Sequence, residues 1–293
     1  MIKSMIKRVA TIALAGAMII GSLSVNNLQV EAKTSPENPM YASREDYWNI
    51  WDATGYTADR PAEFWVGDFG YKKLSNNTAA VTLFMGYENT ALNIPATVTY
   101  EGVTYTVTRI GREDGSIYLD DSTLPNYRNN FTGLVIPNTV TEICDEAFCA
   151  MNIGGKIVIP DTVKKLGYES FKGVKATEII IGNGVTKIPE RCFCLASELT
   201  KVTIGKNVKS IGKEAFCDNK LKQVNVKSKK LKTVSKNAFS CSKEKSDGYT
   251  GVSRKITVKA PKVKMNEYKT LFTKSWKKDS VYSKANKYTF KKL

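Results

Sequence analysis

The side chains best suited to chemistry in this sequence are six cysteines, a few acidic pairs and an excess of lysine, with no histidine. Without imidazole there is no general base near neutral pH, no Ser-His or Cys-His nucleophile pair, and few routes to a zinc site. The cysteines are Cys144, Cys149, Cys192, Cys194, Cys217 and Cys241. Cys192 and Cys194 flank Phe193, so their sulfurs should diverge rather than meet on one ion, and no metal or cofactor is expected. Carboxylate-only chemistry could draw on Glu113/Asp114 or Asp120/Asp121, but nothing separates these from an ordinary polar loop. No residue is nominated as catalytic. The expected protein is a binder, not an enzyme.

Charge points to one class of partner. The chain carries 44 Lys and Arg against 28 Asp and Glu, a net +16, which attracts polyanions. The charge is polarised: residues 33–133 hold 8 basic and 13 acidic groups, whereas 252–293 hold 13 basic against Glu267 and Asp279. Lys274, Lys277, Lys278, Lys284, Lys287, Lys291 and Lys292 are the candidates for holding an anionic cell-wall polymer. The interleaved Trp276, Tyr282, Tyr288 and Phe290 would also suit nucleic acid. The alternative is a solvated lysine-rich surface with no partner.

The first residues argue for export, which disfavours nucleic acid. Lys3, Lys7 and Arg8 precede an uncharged, mostly apolar run from Val9 to Val25. Val30-Glu31-Ala32 then places small residues where signal cleavage needs them, before Lys33. Gly16, Gly21, Ser22 and Ser24 dilute a run already short for crossing a bilayer. The expectation is a signal peptide over 1–32, with no membrane span once it is removed. The product would be secreted and held, if at all, non-covalently on a cell wall.

Position comes from a repeat. Phe148, Phe171, Phe193, Phe216 and Phe239 are spaced by 23, 22, 23 and 23 residues. Before each lies the same order of residues: an I-x-I strand, a turn, a valine or leucine, an isoleucine, leucine or valine, a small residue and the phenylalanine. LVIPNTVTEICDEAF from Leu134, IVIPDTVKKLGYESF from Ile157 and IIIGNGVTKIPERCF from Ile179 are three copies. VTIGKNVKSIGKEAF from Val202 and VNVKSKKLKTVSKNAF from Val224 are two more, and LNIPATVTYEGVTYTVTRIG from Leu92 is an earlier, lengthened one. A unit this small cannot bury its own apolar face, but stacked units bury a continuous column. Four columns should point inward. They contain Ile136, Ile159, Ile181, Ile204 and Val226; Val140, Val163, Val185 and Val208; Ile143, Leu166, Ile188 and Ile211; and the phenylalanines. Pro137, Pro160, Gly182 and Gly205 should end the strands. The D-E-A-F stretches leave room only for single helical turns.

This pattern resembles the BspA-type bacterial leucine-rich repeats over about residues 92–272. The resemblance implies a leucine-rich-repeat solenoid, α/β but mainly β, with a parallel sheet on one face and short helical turns on the other. It also implies a secreted or surface protein that binds proteins, a host matrix protein by family association, and it carries no catalytic residues. Insertions near 111–132 and 242–254 depart from the regular unit.

The remaining segments should close the stack. Residues 33–91 read as a linker and an aromatic N-terminal cap running from Tyr41 to Tyr71, which could alternatively be a platform for sugar rings. Met265 to Phe272 reads as a short amphipathic capping helix, and 273–293 as a basic C-terminal tail. On the sheet, the residues between the inward pairs face outward: Val135, Val158, Ile180, Thr203, Asn225 and Thr257, four of them flanked by Lys156, Glu178, Lys201 and Gln223. Such a stripe marks a protein partner's site, unless β-branched residues are there only to suit a strand or the 111–132 insertion covers them. Cys149, Cys194 and Cys217 share one repeat position, which suggests buried free thiols, with Cys194 and Cys217 the best-placed pair for a disulfide.

Overall fold

A computed structural model describes residues 62–84, 90–112, 130–245, 248–278, 281–282 and 284–293, all within the unit Pro61–Leu293. The signal segment, the linker, the cap aromatics from Tyr41 to Tyr56 and both acidic pairs of the 111–132 insertion lie outside the described residues.

Each repeat makes one three-sided coil. The I-x-I segments form the first side, an eight-stranded parallel sheet whose strands lie side by side in chain order. They are β1 (Ala91–Asn93), β2 (Gly133–Val135), β3 (Lys156–Ile159), β4 (Glu178–Ile181), β5 (Lys201–Ile204), β6 (Gln223–Val226), β7 (Lys255–Ala260) and β8 (Lys287–Lys292). The repeat period sets the register, so Ile181 lies beside Ile159 and Ile204 beside Val226. Two-residue strands such as Glu142–Ile143, Lys165–Leu166 and Ser210–Ile211 make the second side. All four inward columns are buried as the sequence requires. At the corner, a side chain on Gly182 would strike the Pro160 carbonyl, and one on Gly205 the Gly182 carbonyl.

The phenylalanine segments form the third side. Alternate amides bond within the turn, as in Cys149 N–H to the Glu146 carbonyl (2.8 Å) and Lys172 N–H to Glu169 (3.0 Å). The amides between them reach the next coil: Phe148 to Ser170 (2.8 Å), Phe171 to Cys192 (2.8 Å), Phe193 to Ala215 (2.8 Å) and Phe216 to Ala238 (2.7 Å). A residue in the left-handed region makes the alternation possible on every coil: Glu146, Glu169, Arg191, Glu214 and Asn237 have φ between 49° and 55°. Each such residue costs about 1–2 kcal/mol of local strain. It prevents the turn from propagating as helix and frees an N–H to bond the neighbouring coil. Inside, the five rings stack at centroid distances of 5.0, 5.3, 5.2 and 5.2 Å.

Both described ends are covered. At the start, strands Phe64–Val66, Phe69–Leu74 and Thr78–Phe84 form an antiparallel meander. The third of these pairs in parallel with Val103–Ile110, which opens the second side. The lengthening of the first repeat is a hairpin, Thr97–Tyr100 with Val103–Ile110, turning through Glu101 (φ 49°) and Gly102 (φ 77°). At the other end, helix α1 (Met265–Lys274) buries Tyr268 and Phe272. Phe272 is the sixth ring of the ladder, 5.1 Å from Phe239, and Tyr288 and Phe290 meet its face edge-on. The Tyr268 hydroxyl donates to the Ser228 carbonyl at 2.9 Å.

Three expectations change. Residues 287–292, read as part of a tail, are strand β8, because Tyr288 and Phe290 have the helix to pack on while the backbone pairs with β7. Thr257 lies beside Gln223 and not Asn225, which faces Lys259. This shift lets Ile256, Val258 and Ala260 point inward together after the hairpin Ser242–Lys245/Gly248–Gly251 has altered the residue count. Cys194 and Cys217 are joined in a disulfide across a Cα separation of 4.6 Å, whereas Cys144, Cys149, Cys192 and Cys241 are free thiols.

Phe193→Ala, which removes a central ring of the ladder, should lower unfolding free energy by roughly 3–5 kcal/mol, read as a drop in the urea midpoint. Phe272→Ala should loosen the C-terminal end selectively, so that amides of Lys287–Lys292 exchange with deuterium before those of Glu178–Ile181.

Candidate functional site

Alternation along the strands decides what the sheet presents. With Ile157/Ile159, Ile179/Ile181 and Val202/Ile204 buried, Val158, Ile180 and Thr203 must emerge on the opposite side of adjacent strands. Val135 is 51% and Val158 44% exposed, and Ile180 is half-buried. Thr203 is only 6% exposed, which corrects its reading as an open contact residue. Its hydroxyl lies 3.3 Å from the Asn225 side chain, which in turn accepts from Gln223 at 2.8 Å. Lys156, Glu178, Lys201 and Gln223 form a parallel row beside this stripe, with Glu178 paired to Lys201 at 3.0 Å. The face is therefore apolar near β2–β4 and amide-rich at β5–β6.

At β7 and β8 it becomes basic. Lys255, Thr257 and Lys259 face outward beside Lys287, Thr289 and Lys291. Of the seven lysines singled out from the sequence, the structure brings Lys287 and Lys291 onto this face. Lys292 stands exposed beyond the end of the row beside Ala260. Lys274 ends the helix, and the Lys277 amide is bonded to Asn237 on the phenylalanine side, so these do not join the same group. Lys278 and Lys284 are exposed. Lys255 and Lys259 were missed. The alternation K-I-T-V-K-A carried the signal, since burying Ile256, Val258 and Ala260 forces both lysines outward.

The phenylalanine side holds a half-buried ion network. Glu169 accepts from Lys172 (2.5 Å) and Tyr168 (2.8 Å) and is paired with Arg191 (2.5 Å), which also reaches Glu214 (3.3 Å). Burial by itself would push the Glu169 carboxyl up. The bonds from Lys172 and Tyr168 and the charges of Lys172 and Arg191 outweigh it, so the group titrates below the usual carboxylate range. On the second side Glu142 is treated alike: burial raises it, and Lys165 (2.5 Å) and Arg109 (3.1 Å) more than reverse the effect. These pairs tie neighbouring coils together and have the character of fold-holding contacts.

No catalytic constellation forms among the described residues. Cys194, Cys217 and Asp218 gather their ligating atoms within 4.8 Å, but the two sulfurs are bonded to each other, which removes the thiolates a metal would need. Tyr282 seals this cluster, its hydroxyl 3.2 Å from Asp218. The free thiols are held protonated by burial, Cys144 and Cys192 both pushed up to about 12. At the N-terminal end Phe64 and Tyr71 are buried and stack with each other at 5.3 Å, and Phe64 lies 4.5 Å from Tyr100. These two rings act as a cap and not as an open sugar platform.

Residues 123–245 match the BspA type leucine rich repeat region, in six copies. No curated protein matches the chain. Among solved structures it is similar to a leucine rich cell surface protein from Faecalibacterium prausnitzii, with 20% identity and a TM-score of 0.41, covering 69% of this chain and 72% of that one. It is also similar to a leucine-rich repeat protein from Bacteroides ovatus, with 19% identity and a TM-score of 0.31, covering 68% and 66%. No described helix is long and apolar enough to cross a membrane.

The carboxylates give a pH dependence with a definite sign. Because Glu142 and Glu169 titrate lower in the folded chain than in the unfolded one, their stabilisation is complete above the unfolded value, about 4.3. It is lost as pH falls through that value toward the folded ones. Glu169→Gln should cost roughly 1–3 kcal/mol near neutrality, leaving Lys172 without its carboxylate and Arg191 with Glu214 alone, and should flatten melting temperature against pH below about 5.

Proposed function

We propose that this chain, whose repeat region is of the BspA leucine-rich type, is an exported, non-enzymatic scaffold that docks a protein partner on its solenoid sheet. The observation that carries this reading is the apolar stripe of Val135, Val158 and Ile180 on three consecutive strands, the two valines exposed and the isoleucine half-buried. Isolated exposed apolar residues are ordinary, but a contiguous set on a rigid surface has the composition of an interface core. Lys156, Glu178 and Lys201 supply the polar margin that such a core needs. Strand backbones bonded on both sides hold these side chains in place, so little ordering entropy opposes association. The partner's matching surface would be apolar at its centre with carboxylates opposite Lys156 and Lys201.

The repeat motif itself supplies no catalytic group, and its inward columns are fully used in packing. Export rests on the charge order of the first residues, Lys3 to Arg8 followed by the uncharged run to Val25. An extracellular scaffold with such a face suits adhesion, and host matrix proteins are the partner class to test first.

Val158→Asp with Ile180→Asp should lower the melting temperature only modestly, since Val158 is exposed and Ile180 half-buried on the outward side. It should weaken binding to an extracellular-matrix protein captured by the parent chain about tenfold or more, read by surface plasmon resonance. Equal binding by both forms would move the contact off the sheet, and no binding to any matrix protein by the parent would end the adhesion reading.

A further inference from the structure

The C-terminal end of the sheet carries an arrangement that sheet physics disfavours. Strands β7 and β8 pair so that Lys255 lies directly beside Lys287 and Lys259 beside Lys291. Like charges directly opposite each other on one face of a sheet are destabilising. None of the four ammonium groups has a carboxylate within ion-pair distance among the described residues to relieve this repulsion. Lysine on an edge strand is one way to discourage unwanted strand pairing, and this would account for Lys287 and Lys291 on β8. It does not account for Lys255 and Lys259. Strand β7 lies one place in from the edge, bonded to β6 on one side and β8 on the other.

We propose that these four lysines form a binding site for a linear, base-free phosphodiester polymer of the glycerol-phosphate type. Geometry sets the length of the ligand. Cross-strand neighbours stand about 5 Å apart, and residues four apart along a strand roughly 13 Å. One phosphate can bridge a single lysine pair, but only a chain with several phosphates can engage Lys255/Lys287 and Lys259/Lys291 together. The side-chain chemistry sets the class. The site is all lysine, compact point charges suited to phosphate, and it lacks the guanidinium forks that select planar carboxylates. Arg254, the nearest arginine in sequence, directs its Nε at Cys241 instead.

The orientation of the aromatics excludes bases and sugar rings as the recognised element. Tyr288 and Phe290 alternate with the lysines of β8, and both turn inward against Phe272. Thr257 and Thr289 lie between the lysine pairs, so among the described residues the face offers hydroxyls and no ring on which a base could stack. The inference is independent of the protein-docking reading, because the two sites occupy opposite ends of one sheet and share no residue.

The test follows binding of a fluorescent poly(glycerol phosphate) chain to the full protein by anisotropy across a salt series. Affinity should fall linearly in log–log form as salt rises. The variant K255Q/K259Q/K287Q/K291Q should bind at least about tenfold more weakly. Its melting temperature should be equal to or above that of the parent, since repulsion across the strands has been relieved. A second variant with the same charge change on the second side of the coils, K164Q/K187Q/K209Q/K232Q, should keep its affinity. Retained binding by the first variant would overturn the proposal, as would an equal loss by the second, which would reduce the effect to net charge. Single-stranded DNA binding as tightly as the polymer would assign the face to nucleic acid instead. Displacement by inorganic phosphate at equal phosphate concentration would reduce it to a small-anion site.

Discussion

Adhesion between successive coils is the constraint on which everything else in this protein rests. A coil of 22 or 23 residues encloses too little apolar volume to be stable, so it exists only as part of a stack. Three sets of backbone hydrogen bonds, one on each side, fix the rise from coil to coil near the strand spacing of about 4.8 Å. That rise falls close to the distance at which phenyl rings stack, and the ladder of centroids between 5.0 and 5.3 Å shows the two requirements being met together. The left-handed residues before each phenylalanine follow from the same demand. A turn that satisfied itself as helix would leave its coil unattached on that side. Strain at Glu169, Arg191 and Glu214 is offset by a bond to the next coil.

A stack has two ends, and each is closed by residues from outside the repeat, which at the C-terminal end continue the ladder. Helix α1 contributes Phe272 as a further ring and Tyr268 as a hydrogen-bonded plug, and β8 then covers Phe272 from the sheet side. The segment between them returns along the phenylalanine side, where Tyr282 covers the Cys194–Cys217 bridge. At the beginning, the antiparallel meander performs the same service with Phe64 and Tyr71. Capping explains why Phe64, Tyr71, Tyr268 and Phe272 are buried, and why the lysines alternating with Tyr288 and Phe290 on β8 are the residues that remain outside.

The sheet face that results is graded along its length. Coils in the middle of the stack are nearly interchangeable inside, since packing holds their inward residues to one pattern. Outward positions carry no such restriction and are free to differ. Valine and isoleucine occupy them at β2–β4, threonine and asparagine at β5–β6, and lysine at β7–β8. One rigid frame thus presents chemically distinct surfaces along its length.

The periodic part of this structure was legible in the sequence, because a solenoid repeats its physics with its residues. The burial of Ile181, Val185, Ile188 and Phe193, the strand ends at Gly182 and Gly205, and the helix at Met265 all follow from local pattern and spacing. What the sequence alone left undecided depends on contacts between residues without a repeat partner. Strand β8 has no repeat motif and is a strand only because β7 offers a free edge and α1 offers Phe272 to pack against. The register of β7 follows from burying three inward residues after an insertion, and it brings Lys259 beside Lys291, a pairing concealed by the 31 positions between them. The disulfide is decided in the same way: three cysteines share its repeat position, and only coils stacked next to each other bring two of them within bonding distance.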